Sequence, residues 1–304
     1  MDLYLPVANL SVNALVIVLL GGGVGLISGM FGVGGGFLTT PLLIVYGIPP
    51  TVAAASAASQ VTGASVSGVF AHFRRNGVDV KMGLTLAGGG FFGSLVGAQI
   101  FHLLQKTGQI DTVIGLLYVI LLGSIGGMMA TESIRAIRNT RSGQATRARK
   151  RRHHPLIASL PFRTRYYASG LYISPLAPAL TGFFIAILTT LLGIGGGFMM
   201  IPIMLYIFGM QTRVVVGTSL FNTLFISATA TMAHSLTTHA VDIVLAALLL
   251  LGSVTGAQIG VRFAQSIKPE YLRLALAAMV LAVAFRMALG LGWRPDEIYS
   301  VALS

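Results

Sequence analysis

The sequence predicts an all-α, polytopic membrane protein built from two inverted repeats of about five helical segments each, with a short broken or re-entrant helix after a glycine-rich turn in each repeat. Three observations predict it. First, 55% of the 304 residues are hydrophobic and only 9% are charged, against about 25% charged in a soluble domain. Second, Gly32-Val33-Gly34-Gly35-Gly36-Phe37, followed by Pro41, recurs as Gly193-Ile194-Gly195-Gly196-Gly197-Phe198, followed by Pro202. Third, a series of further matches follows each copy in the same order.

The segments run as follows. The first half reads as helices over 11–31, 37–47, 51–73, 80–105 and 110–131. The long ones suffice to cross a hydrocarbon core of about 30 Å, which needs roughly 20 apolar residues. A polar, arginine-rich stretch fills 132–167. Then come 171–192, 198–209, 213–236, 240–265 and 270–292. This divides the chain into a first membrane repeat (1–131), a basic connector (132–170) and a second membrane repeat (171–304). The segments at 37–47 and 198–209 reach only about 16–18 Å at 1.5 Å per residue, so neither spans alone.

The internal match is ordered. Phe31 to Pro41 aligns with Leu192 to Pro202 without a gap, then Ser56 and Gln60 with Thr218 and Asn222, and His72 with His234. Val78-Asp79 aligns with Val241-Asp242, and the block from Gly93 to Ile100 with that from Gly252 to Ile259. Shared composition alone would not keep these in register.

Orientation follows from basic residues in short loops. Ten of the 20 Lys and Arg lie between Arg135 and Arg165, which puts the connector in the cytoplasm. An odd number of crossings per repeat also brings Arg74, Arg75, Lys81, Arg213, Arg262, Lys268 and Arg273 to that side. An even number would move Arg262, Lys268 and Arg273 out. An odd repeat followed by its copy is inverted relative to it, and both termini then face away from the cytoplasm. The basic run from Arg147 to His154 is a topology determinant near anionic headgroups, not a nucleic-acid site. The first apolar run, lacking a basic leader, reads as a retained segment.

Several residues could carry chemistry. Around Gly34, Gly35 and Gly36, and around Gly195, Gly196 and Gly197, the backbone can approach a ligand, and the following helix offers free N–H groups to an anion. Close helix packing is the competing explanation. No strand precedes the turns and Phe37 and Phe198 stand where a dinucleotide motif needs glycine, so that fingerprint is absent. Ser56 and Gln60 share one helical face, as do Thr218 and Asn222, with Ser59 and Ser219 nearby. Hydroxyls and amides can hold an anion without a buried charge, or can simply bond helix to helix. His72 and His234 close their helices; an interfacial role competes with anion binding or proton transfer. Gln99 and Gln258 stay open, while the glycines beside them form small-xxx-small contacts. The eight acids lie at segment ends or in loops, so cation coupling through an intramembrane carboxylate is not expected. Arg286 reads as a snorkelling residue near an interface. No cysteine is present, and no spacing calls for a metal, a cofactor or a hydrolytic triad. The chain is not read as an enzyme.

The paired GxGGGF turns with their prolines, the Thr218–Asn222 stretch, the blocks around Gly97-Ala98-Gln99 and Gly256-Ala257-Gln258, and a loop between two halves resemble the sulfite exporter TauE/SafE family of membrane permeases. The match covers roughly 12–130 and 171–292. The resemblance implies a secondary transporter in the cell (inner) membrane, exporting small sulfur-containing anions such as sulfite, sulfoacetate or other organosulfonates. It implies glycine motifs at Gly32 and Gly34–Gly36, and at Gly193 and Gly195–Gly197. A passive anion channel on the same fold is the alternative. The expected partners are the anion and the lipid bilayer, and assembly into a homo-oligomer is left open. The connector is longer than is usual for this family. Where the second repeat has Ser219-Leu220-Phe221-Asn222, the first has Ala57-Ala58-Ser59-Gln60, so the half-sites are chemically unequal.

Overall fold

A computed structural model describes residues 2–31, 35–141, 163–264 and 269–292. The chain opens with a hairpin of β1 (Asp2–Leu5) and β2 (Leu10–Asn13), then α1 (Ala14–Phe31), α2 (Gly36–Tyr46), α3 (Pro50–Phe73), α4 (Val80–Lys106) and α5 (Ile110–Arg141). A second hairpin, β3 (Thr164–Tyr166) and β4 (Leu171–Ile173), leads into α6 (Leu176–Leu192), α7 (Gly197–Pro202) with a π-helical turn Ile203–Ile207, α8 (Thr212–Thr237), α9 (Ile243–Ala264) and α10 (Pro269–Gly292). Among the described residues five helices are long and apolar enough to cross a membrane.

The all-α, polytopic expectation holds, with local corrections. Residues 11–13 and 171–173 are strand rather than the start of a helix. Ser11, Val12, Tyr172 and Ile173 alternate between exposed and buried, a period-two pattern that suits a hairpin. Strand β3 therefore begins inside the stretch read as connector. In the other direction, α5 continues to Arg141, because Glu132 to Arg141 contains no glycine or proline to stop it. The connector beyond Arg141 lies outside the described residues.

The hairpins extend the internal match toward the N-terminus. Their turns both use a left-handed residue, Asn9 at φ 51° and Gly170 at φ 67°. Both end on a short capping side chain: Asn13 Oδ1 accepts from the Leu15 N–H at 3.1 Å, and Ser174 Oγ from the Leu176 N–H at 3.3 Å. Each satisfies an N–H that the helix start leaves without a partner.

The halves are interleaved, not stacked as two bodies. The heaviest packing joins α1 to α9, α4 to α6, α5 to α10 and α3 to α8. In each pair one helix comes from each half, and the pattern is unchanged when the halves are exchanged. Two of the pairs meet backbone to backbone. A methyl group on Gly93 would lie 2.1 Å from the Phe183 carbonyl oxygen, and one on Gly256 2.0 Å from that of Gly22. The glycines in these blocks are thus the contact surface itself.

Each hairpin has its own apolar cluster. Leu5, Val12 and Ile17 pack with Leu43, Val52, Leu245 and Leu249. Tyr166, Leu171 and Ile173 pack with Met82, Leu86, Met204 and Phe208. A third cluster lies between the halves and includes Phe37, Phe101, Tyr118, Leu192, Ile194, Phe198 and Val280.

Candidate functional site

The two glycine-rich turns meet inside that third cluster. Phe37 and Phe198, which follow the turns, stack face to face with ring centres 4.3 Å apart and planes 1° apart. Gly36 sits so close to the other turn that a methyl group there would lie 2.6 Å from the Ile194 carbonyl oxygen. The turns differ in conformation. Gly193, Gly195 and Gly196 are left-handed at φ 70°, 79° and 74°, a region that disfavours any side chain, whereas Gly35 is right-handed at φ −66°. Gly32 and Gly34 lie outside the described residues.

Polar side chains surround the turns. Positions equivalent to a methyl on Gly35 and on Gly196 lie 3.6 Å from Gln60 Nε2 and 3.0 Å from Thr189 Oγ1, and one on Gly195 lies 3.3 Å from Thr223 Cγ2. Thr189, Ser219, Thr223 and Ser227 are buried with hydroxyls that have no protein partner, and Gln60 Nε2 has none either. Both amide atoms of Asn222, a residue with no exposed surface, are unpartnered. Buried polar atoms without partners are uncommon in proteins and each needs an explanation. Ser219, Thr223 and Ser227 follow one another at four-residue spacing on α8, with Asn222 next to Thr223, so the helix gathers them on one side.

The half-sites differ for a visible reason. The single proton of the Thr39 hydroxyl is shared between two acceptors, Gln60 Oε1 at 3.0 Å and the Gly35 carbonyl at 3.1 Å. In the second half the position matching Thr39 is Met200, which offers no comparable donor. Ala57 and Val61 of α3 likewise face Ser219 and Thr223 of α8 in the internal alignment. The free donors therefore concentrate on the second half.

Other candidate residues have structural work. Ser56 Oγ accepts from the Asp242 N–H at 3.0 Å, and Thr218 Oγ1 from the Asp79 N–H at 2.9 Å. These hydroxyls tie each half to the helix start of the other. Asp242 in turn accepts from the Val244 and Leu245 N–H groups, both at 3.1 Å, and from the Val7 N–H at 3.2 Å. Asp79 accepts from the Met82 N–H at 3.0 Å, and from the Ser169 N–H at 3.0 Å and its hydroxyl. Each aspartate caps a helix and holds down the hairpin that packs on it. The signal was in the sequence: Val78-Asp79 and Val241-Asp242 match, and aspartate is a favoured N-cap.

The remaining candidates are scattered. Ser59 Oγ is 3.4 Å from Thr231 Oγ1 where α3 crosses α8. His234 is fully buried, lies 2.8 Å from the Thr190 carbonyl through Nε2, and packs edge-on against Phe101. Thr190 is in the last turn of α6, where carbonyls lack helical partners. His72 is only half-buried at the end of α3, and the position matching Thr190 is Gly29, within α1. Gln99 and Gln258 are exposed on the outer faces of α4 and α9, apart from the central cluster. Arg286 and Asp111 line a peripheral cleft of about 330 Å³ between α2, α5 and α10, which meets the third cluster only at Ile44 and Met287 and contains none of the unpartnered polar groups. No group of acids and histidines able to hold a metal is found among the described residues.

Apolar helices packed around a buried cluster of unpartnered hydroxyls and amides suit a multi-pass membrane protein of the transporter class. The family model for the sulfite exporter TauE/SafE matches residues 17–287, and the chain belongs to that family. It is similar to the probable membrane transporter protein YjnA of Bacillus subtilis (strain 168), 28% identical over 274 residues that cover 89% of this chain and 98% of the relative. It is also similar to the probable membrane transporter protein YunE of the same organism, 27% identical with coverage of 81% and 86%, and to a probable membrane transporter protein of Xylella fastidiosa (strain 9a5c), 26% identical with coverage of 90% and 95%. No solved structure matches the chain.

Proposed function

We propose that the protein is a secondary transporter that exports small sulfur-containing anions such as sulfite, sulfoacetate or other organosulfonates. It works by alternating access at the interface of two inverted repeats in the cell (inner) membrane, with the basic connector cytoplasmic and both termini on the far side. The observation that carries this reading is Asn222, whose buried amide has no protein partner at either atom. An anion with several oxygen acceptors gives the Asn222 Nδ2 group, and the neighbouring hydroxyls, the acceptors they lack. The family's sulfur-anion chemistry supports the substrate class. The Phe37–Phe198 stack and the burial of the cluster support a carrier that occludes its substrate over a continuously open channel.

Two measurements test the reading. In proteoliposomes, labelled sulfite should move with saturable kinetics and show counterflow. Ohmic, unsaturated currents would instead favour the channel. Asn222→Ala should lose sulfite binding while keeping its melting profile, and unchanged affinity would remove Asn222 from the site.

A further inference from the structure

We infer that the central site selects by charge number, taking singly charged sulfur oxyanions and rejecting doubly charged ones. The inference rests on the site reading above and narrows it. Within the proposed class it favours hydrogensulfite and simple alkanesulfonates, and it disfavours sulfate, fully ionised sulfite and sulfoacetate, whose carboxylate adds a second charge.

The argument starts from what the cluster lacks. Its free groups, the Asn222 amide, Gln60 Nε2 and the hydroxyls of Thr189, Ser219, Thr223 and Ser227, are all neutral. No Lys or Arg is buried among the described residues. The titratable groups on the surrounding elements are engaged elsewhere or remote. His234 is held against the Thr190 carbonyl, and the Tyr118 hydroxyl donates to the Leu192 carbonyl. Asp79 and Asp242 each accept three hydrogen bonds at helix starts. His72 lies at the half-exposed end of α3. Among the described residues no fixed positive charge therefore faces the cluster.

Transferring an ion out of water has a penalty that grows with the square of its charge, so a dianion loses about four times what a monoanion of the same size loses. Neutral donors offset part of the loss for one charge. A second charge needs a cation, and the site has none among the described residues. The α2 N-terminus beside Gln60 adds a partial positive charge of about one half at most, which suits a single negative charge.

The test uses the wild-type protein in detergent, titrated by calorimetry at constant ionic strength. Methanesulfonate carries one charge and sulfate two, on similar oxygen frameworks. We expect methanesulfonate to bind and sulfate to bind at least about 100-fold more weakly. Sulfite affinity should rise as pH falls through the range in which the dianion takes up a proton, while methanesulfonate affinity stays level across that range. The methanesulfonate control separates titration of the ligand from titration of the protein. Sulfate binding as tight as methanesulfonate, with both lost in Asn222→Ala, would overturn the charge rule and leave the site reading standing. Binding of neither ion, nor of sulfite at any pH, would overturn both.

Discussion

Removing the Asp242 carboxylate should destabilise the protein by several times the thermal energy. The side chain caps α9 through the Val244 and Leu245 N–H groups, both at 3.1 Å, and holds the first hairpin through the Val7 N–H at 3.2 Å. Replacing a good N-cap by alanine costs about 0.5–2 kcal/mol. A hydrogen bond to a charged group contributes about 1.5–3 kcal/mol, and the long Val7 contact argues for the lower end. Asp242→Ala should therefore lose about 3 kcal/mol. Asp242→Asn keeps an acceptor oxygen at the cap and should lose about 1 kcal/mol. Asp79→Ala should lose at least as much as Asp242→Ala, because Ser169 donates to it twice. Equilibrium unfolding in mixed micelles measures all three. If Asp242→Ala stays within about 0.5 kcal/mol of wild type, the clasp is not a stabilising element and the reasoning fails.

Three other outcomes are expected. Gly93→Ala and Gly256→Ala put a methyl group about 2 Å from a facing carbonyl oxygen and should each lose about 2–3 kcal/mol by forcing helices apart, whereas Gly88→Ala meets open space and should be neutral or gain up to about 1 kcal/mol in helix propensity; melting temperatures compare them. His234→Ala leaves the Thr190 carbonyl unpartnered in a buried site and should cost about 2–4 kcal/mol, while His72→Ala, half-exposed, should cost less than about 1 kcal/mol; equal losses would show that the two histidines are equivalent after all. Gln60→Ala should weaken sulfite binding less than Asn222→Ala does, because Thr39 already engages one end of the Gln60 amide; a calorimetric titration of both variants gives the order.

Much of this was legible in the sequence, for identifiable reasons. Helices of more than twenty residues leave a long signal, so α3, α4, α8 and α10 fall within a few residues of the expected bounds. The hairpins are not legible in the sequence, since four residues of alternation are too few to outweigh an adjoining apolar run. The small-xxx-small spacing of the Gly93 and Gly256 blocks points to contact surfaces, and the backbone distances there are those of close helix packing. Which polar residues are occupied could not be read from type alone. Ser56 and Ser219 look alike in the sequence, but one bonds the Asp242 N–H and the other has no partner. The distinction depends on residues 186 positions away. The difference between Gln60 and Asn222 turns on Thr39 and Met200, a contrast that only matters once a third dimension brings α2 against α3.

The interleaving of the halves also constrains how the chain is made. α1 finds its partner in α9, so the glycine face of Ala14–Phe31 emerges long before Ile243–Ala264 is synthesised. Contacts so distant in sequence slow folding. Until α9 arrives, the close backbone seam has nothing to close against, and α1 waits in the bilayer among lipids or other helices. The first five helices on their own would carry the same open seams on α1 and α4. These two seams therefore close only once the second half of the chain has been made.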